Sequence, residues 1–424
     1  MRDTENNFAG LVFRDGRTGR WLAPFALVLV LALVFTAGVG SQAAAQGETS
    51  AQNNAASDNP AGRVLRVGPQ REWRSIAAAA QQARAGDTIE VDAGDYVADV
   101  AVWNLEQLTI RAVGGRARLI AGGASAEGKA IWVIRRGVMV VENFDFIGTR
   151  VRDRNGAGIR FESGHLTVIN CVFNNNQIGI LTNNDPASEL VVENSEFDSG
   201  GPDEPRSHNL YVGAIAKLTV QGSYFHHGKG GHLLKTRAAQ SHILYNRLTD
   251  EAGGTASYEL EFPNGGVAVV AGNLIVQGAH SPNAAIISYG VEGYRWPENR
   301  LVLVYNTIIN ERAAGVRFLY VQPGNRQVGA VNNVLAGGTA PPGASLLGLA
   351  APDVERNTVR AERSDFINAA AFDYRPAKHA RWLAVPGQFG GNALWPKREY
   401  VHPRGSRALP AGLTIQAGAF HRLD

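Results

Sequence analysis

A short apolar run closed by an asparagine recurs through the middle of the chain, and no other feature narrows its folding choices as far. Val138-Met-Val-Val-Glu-Asn143 is followed by Leu166-Thr-Val-Ile-Asn170, Leu190-Val-Val-Glu-Asn194 and Leu218-Thr-Val-Gln-Gly222. The series continues through Ile243-Leu-Tyr-Asn246, Val269-Val-Ala-Gly-Asn273, Leu303-Val-Tyr-Asn306 and Val331-Asn-Asn333. Successive markers stand 27, 24, 28, 24, 27, 33 and 27 residues apart. A unit of short strands with that step cannot bury its apolar side alone, whereas stacked units share one continuous core. At a tight bend an asparagine amide bonds to the backbone and to its counterpart in the next coil. Gly222 replaces one rung, which a bend tolerates. With 49 glycines and two methionines in 424 residues, the composition agrees with many turns and few long helices.

The expected fold is therefore all-β: a right-handed parallel β-helix over residues 63–338. Ser75 is placed to N-cap a helix from Ile76 to about Ala85, with Ile76, Ala79, Ala80 and Ala83 on one face and Gly86 as the stop. Such an amphipathic capping helix would cover the open first end of the stack. From 339 to 424 the markers cease and Pro, Gly and Arg increase, so an irregular C-terminal cap is expected there.

Ahead of the repeat, Arg14, Arg17 and Arg20 precede an apolar run over 21–39 and the small residues Ala43-Ala44-Ala45. That order reads as a secretory signal over 1–45 with Ala-x-Ala at Ala43 to Ala45, the alternative being an uncleaved anchor because the run is long enough to cross a bilayer, and 46–62 reads as a flexible linker. A secreted or periplasmic protein, a monomer with no membrane attachment after cleavage, is expected. Lys and Arg exceed Asp and Glu by 41 to 38, which gives no electrostatic case for nucleic acid. Cys171 is the one cysteine, excluding an internal disulfide framework and a multi-thiolate zinc site. It reads as a buried small hydrophobe.

The stretch Trp73-Arg-Ser-Ile, Gly86-Asp-Thr-Ile-Glu-Val and Gly94-Asp-Tyr96, followed by asparagine-marked coils, resembles the secreted right-handed parallel β-helix proteins of the pectate-lyase-like superfold. The resemblance covers about residues 63–338. It implies a carbohydrate-active protein without choosing an activity, because the superfold hosts lyases, hydrolases, epimerases and non-catalytic surface proteins. No motif specific to one of these families is present.

Each coil carries a second strand, and alternation along it predicts which side chains leave the core. Ile159, Phe161, Leu210, Val212, Leu234, Leu260 and Phe262 are assigned inside. Arg160, Asn209, Tyr211, Lys235, Arg237, Glu259 and Glu261 are assigned outside. Tyr211, Lys235 and Glu261 should form one column about 4.8 Å per rung. His208, His227 and His232 lie in or beside the same coils, and with the carbohydrate-active proteins that the chain resembles, the candidate partner is an acidic polysaccharide. For β-elimination on a uronic-acid polymer, Arg237 suits the substrate carboxylate, Lys235 the base and Tyr211 the proton donor, with His232 or His208 as substitutes. Asn209, Glu259, Arg160 and His227 complete the substrate-binding set. For a glycoside hydrolase, Glu259 and Glu261 would supply two carboxylates on one face. The bland alternative is a cross-strand Lys235–Glu261 ion pair on a solvated sheet. No cofactor is required. Asp198, Asp203 and Glu204 are the candidate Ca²⁺ ligands, and alternation along a strand argues against a metal held by His226 and His227. Tyr294 and Trp296, in the insertion behind the 33-residue step, form either a sugar-stacking wall or packing over the loop base.

Overall fold

The computed structural model describes residues 62–198, 207–313, 317–337, 354–380 and 396–421, with 347 and 382. The leader over 1–45, the linker to residue 61, and the acidic residues Asp203 and Glu204 lie outside these. No helix among the described residues is long and apolar enough to cross a membrane.

The repeat builds a parallel β-solenoid of about ten turns. Each turn contributes one strand to each of three parallel sheets. The strands ending in the marker form the first sheet, as in His165–Ile169, Glu189–Glu193, Lys217–Gln221 and Gln240–Leu244, which pair in register. A bend leads to the short strands of the second sheet, such as Val172–Asn174, Glu196–Asp198, Tyr224–His226 and Arg247–Thr249. The third sheet holds Ala157–Phe161, Ile178–Thr182, His208–Val212, Leu234–Thr236, Leu260–Phe262 and Ala285–Tyr289. Identical positions stack to fill the interior: the rings of Phe146, Phe173, Phe197 and Phe225 stack with nearly parallel planes, their centroids 5.0, 4.8 and 4.5 Å apart. Burying such rings is the largest favourable contribution a coil makes.

The marker asparagines divide into two ladders, where a single one was expected. The left-handed bend residue is Asn143, Asn170, Asn194 and Gly222 in the early coils, but Tyr245, Gly272, Tyr305 and Asn332 later. Asn246, Asn273, Asn306 and Asn333 thus stand one residue past the bend, fully buried. There each amide oxygen accepts the backbone N–H of the residue below, at 2.8 Å for Asn246 on Asn273, 3.0 Å for Asn273 on Asn306 and 2.9 Å for Asn306 on Asn333. Ser223, Ser195 and Cys171 occupy the same inner column lower down, where Ser223 and Ser195 present hydroxyl acceptors to the rung below. Cys171 is buried as expected, and burial pushes its thiol up to about 12.

The helix spans Ile76–Gln82, three residues shorter than expected, and Ser75 Oγ accepts from Ala78 N at 3.2 Å. Ile76 and Ala79 are buried in the core at the first end of the stack. The repeat continues past residue 338: Val354–Arg356 and Val359–Ala361 add a further rung, with Asn357 in the left-handed bend. Described residues beyond it lie along the side of the stack. Phe366, Tyr374, Trp382 and Ala417 pack on Leu274, Val276, Ile309 and Val334, outward positions of the second sheet that are apolar in these coils.

Candidate functional site

The third sheet presents the opposite kind of outer surface. Its register stacks Arg160, Leu181, Tyr211, Lys235, Glu261, Ser288 and Tyr320 into one column. Tyr211, Lys235 and Glu261 therefore share one wall and point away from the core, as alternation predicted. Arg237 follows the strand Leu234–Thr236 and is fixed by its N–H donating to Val212 O at 2.9 Å.

An ion-paired net runs across this wall. Lys235 Nζ lies 2.8 Å from Glu261 Oε2 and 3.1 Å from Glu292 Oε1. His232 Nε2 approaches the same Glu261 oxygen at 3.0 Å. Arg237 holds Glu292 with both terminal nitrogens, at 2.7 and 3.0 Å, and donates from Nε to the Tyr211 hydroxyl at 3.1 Å. Its Nη1 also donates to Asn264 Oδ1 at 2.5 Å. Lys235 is 11% exposed and Glu261 3%, so this is not the solvated surface pair of the bland alternative. Burial pushes the Glu261 carboxyl up, but the His232 hydrogen bond and the charges of His232 and Lys235 outweigh it and hold it below its ordinary value. The Arg237 hydrogen bond, with Lys235, brings Glu292 down to about 2.

Beside the net opens a groove of about 730 Å³, lined by Arg160, Asn183, His208, Tyr211, His232 and Lys235 among others. Arg160 donates to Asn183 Oδ1 at 2.7 Å, and no carboxylate pairs with it among the described residues. His208 is buried, and burial followed by the charges of His232, Lys235 and Arg237 holds it well below the ordinary histidine value. Its Nδ1 accepts the His232 backbone N–H at 2.9 Å, so the neutral ring carries its proton on Nε2. His208 is thereby a donor into the groove.

Three expected placements are corrected. Asn209 and Glu259 are buried, not outward. At the corner feeding the third sheet the chain curves so that two successive side chains point inward, and the period-two rule fails there. The same column contains Leu233 and Ile286 of the core, and Gly179, where a Cβ would sit 2.7 Å from the Phe197 ring. Asn209 instead ties the corner together, donating to Phe197 O and His226 O at 3.1 and 2.9 Å. Glu259 is sealed inside, where burial and the nearby Asp250 push its carboxyl well above its ordinary value. The hydrolase alternative thus loses the carboxylate pair on which it rested. His227, the third case, lies at the end of the second sheet against Asp198 and outside the groove.

Glu292, Asn264 and Asn183 were missed. The 33-residue step marked an insertion near Glu292, but spacing does not say where a loop folds. The loop turns back over the wall: Trp296 Nε1 donates to Arg237 O at 3.0 Å and Tyr294 packs against the core with its hydroxyl on Gln322 O at 2.6 Å. Both aromatics anchor the loop base.

No protein-family model matches the chain, and no curated protein does. Among solved structures it is similar to the pectate lyase Pel9A, with 12% identity, 86% of this chain and 97% of that one covered, and a TM-score of 0.55. An alginate lyase of the PL6 family, AlyGC, aligns over 70% of this chain and 53% of its own at 13% identity, with a TM-score of 0.28 too low to argue from. The first likeness establishes a pectate-lyase-like parallel β-helix and nothing finer.

Proposed function

We propose that the chain is an exported enzyme that cleaves an acidic, uronic-acid polysaccharide by β-elimination in the groove of the third sheet. The observation that carries this reading is the outward column Tyr211–Lys235–Glu261 beside an arginine, Arg160, whose hydrogen bond goes to Asn183 and which forms no ion pair among the described residues. Elimination requires a cation for the substrate carboxylate, a group that removes the C5 proton and one that protonates the departing oxygen. Arg160 takes the first role, because a guanidinium fork pairs with carboxylate through two hydrogen bonds.

The two proton carriers exchange the roles alternation suggested. Arg237 was assigned the substrate carboxylate and Lys235 the base, yet the Arg237 charge is engaged by Glu292, while Lys235 itself stands between two carboxylates. That setting suits an ammonium, so Lys235 protonates the leaving oxygen. Tyr211, whose oxygen accepts a hydrogen bond from the Arg237 guanidinium, acts as the phenolate that this guanidinium stabilises and removes the C5 proton to become the neutral phenol. The proton leaves C5 for Tyr211, the electron pair forms the C4–C5 double bond, and the C4–O bond breaks with proton delivery from Lys235. His232 and Glu261 orient Lys235. Likeness of fold to a pectate lyase supports the substrate class.

A panel of uronic-acid polymers tests the proposal. Ultraviolet absorbance from the new double bond is expected on at least one polymer and should vanish in Tyr211→Phe and Lys235→Ala. New reducing ends without absorbance would convert the reading to hydrolysis. Binding with neither signal would leave a polysaccharide-binding protein.

A further inference from the structure

The corner between the second and third sheets brings together donors that the groove does not use. His226 closes the strand Tyr224–His226 and His227 follows it with a left-handed φ of 48°. Neighbours on a straight strand would point apart, but the left-handed step turns both imidazoles to one side. Their Nδ1 atoms stand 2.7 Å apart. Asp198, one coil below and paired in register with His226, places Oδ1 at 3.0 Å from His227 Nδ1 and 3.4 Å from His226 Nδ1. Three ligand atoms therefore lie within 4.8 Å of one another.

We propose that Asp198, His226 and His227 hold a first-row divalent transition-metal ion, of which zinc is the natural probe. Hydrogen-bond accounting is the second argument. His226 Nε2 lies 3.3 Å from Glu196 Oε1, and Arg404 holds the other oxygen of that carboxylate at 3.1 Å. A proton spent on Glu196 leaves His226 Nδ1 as a lone pair. His227 Nδ1 then has one proton for two acceptors, and a cation in its place would accept all three lone pairs at once. Carboxylate, imidazole and metal in line is the usual outer arrangement of a histidine ligand. Asp198 is fixed likewise, with Oδ2 receiving Asn174 Nδ2 at 3.3 Å, so that Oδ1 faces the rings. Two imidazoles and one carboxylate suit zinc and its neighbours better than Ca²⁺, which prefers six or more oxygens. His227 is 36% exposed and Asp198 27%, so the remaining coordination positions open to water.

Calorimetric titration of the chelator-treated full chain with Zn²⁺, and visible absorption on adding Co²⁺, test the site. One ion per chain is expected, with affinity lowered about 100-fold or more in His226→Ala and in His227→Ala. Glu196→Gln, which touches no ligand atom, should weaken binding about 10-fold while retaining the Co²⁺ spectrum. Asp198→Asn, isosteric and still able to meet Asn174, should weaken it strongly without disturbing the corner. His165→Ala, at an exposed histidine elsewhere, should change nothing. Absence of uptake by the native chain, or unchanged stoichiometry in the His226→Ala/His227→Ala double variant, would overturn the proposal.

Discussion

The second and third sheets are made from the same repeat, yet their outer faces differ in kind. In the later coils the second sheet turns Leu274, Val276, Ile309 and Val334 outward, and the C-terminal segment covers them with Phe366, Tyr374 and Trp382. The third sheet turns Tyr211, Lys235 and Glu261 outward, and a groove stays open beside them. Outward positions of a solenoid are released from the core, so their chemistry reports their use. An apolar wall demands a covering segment, because that much apolar surface is otherwise left in water. A wall of converging charges, more than half withdrawn from solvent, pairs its charges with one another, and on the proposed function it also meets the substrate.

The contrast breaks most visibly at Lys235. Lys235→Ala should lower elimination about 1000-fold, the range of a lost general acid, in a turnover assay on the polymer that proves active. The same substitution leaves Glu261 facing His232 alone, and a fall of about 3 kcal/mol in chemical denaturation is expected. On the covered wall, Phe366→Ala should cost about 3 kcal/mol of stability and leave turnover per folded molecule unchanged. A groove that loses activity with Phe366 would mean that the two walls are coupled.

Smaller effects sharpen the comparison between wall and interior. Asn273→Ala removes the acceptor for Asn246 N and two backbone bonds of its own amide, and should cost about 2 kcal/mol by denaturant titration. For Glu259, the folded carboxyl titrates above its unfolded value, so its stabilising effect is complete below the unfolded value and is lost as pH rises. Asp250, raised to about 6 by burial, adds a loss of the same sign between about pH 4 and 6. Melting temperature should therefore decline less, or rise more, with increasing pH in Glu259→Gln than in the native chain, because the variant removes one of these titrations. An equal slope in the variant would mean that Glu259 is not a buried acid. Last, Glu292→Gln weakens the hold on Lys235 and Arg237 and should change KM a few-fold with little effect on kcat, read from initial rates at varied polymer concentration.

Alternation was a reliable guide on the straight part of the third sheet and misleading at its corner. It placed Tyr211, Lys235 and Glu261 in one outward column because in-register stacking conserves parity from rung to rung. It misplaced Asn209 and Glu259, two residues earlier, because the chain curves there and two successive side chains turn inward. It also set His226 and His227 on opposite faces, and one left-handed residue reverses that. The single asparagine ladder became two for a similar reason: a bend residue and the residue after it are one step apart in sequence but stand on opposite sides of the wall.

The order of apolar runs and bends by itself determined the solenoid, its pitch and the column of the third sheet, because each coil satisfies its backbone and core through its neighbours alone. Only the tertiary structure decided which loop folds back, that Glu292 reaches Lys235 and Arg237, and that Asp198 meets two histidines one coil away. Those contacts depend on the paths of loops and on local backbone angles at corners, which no periodicity constrains.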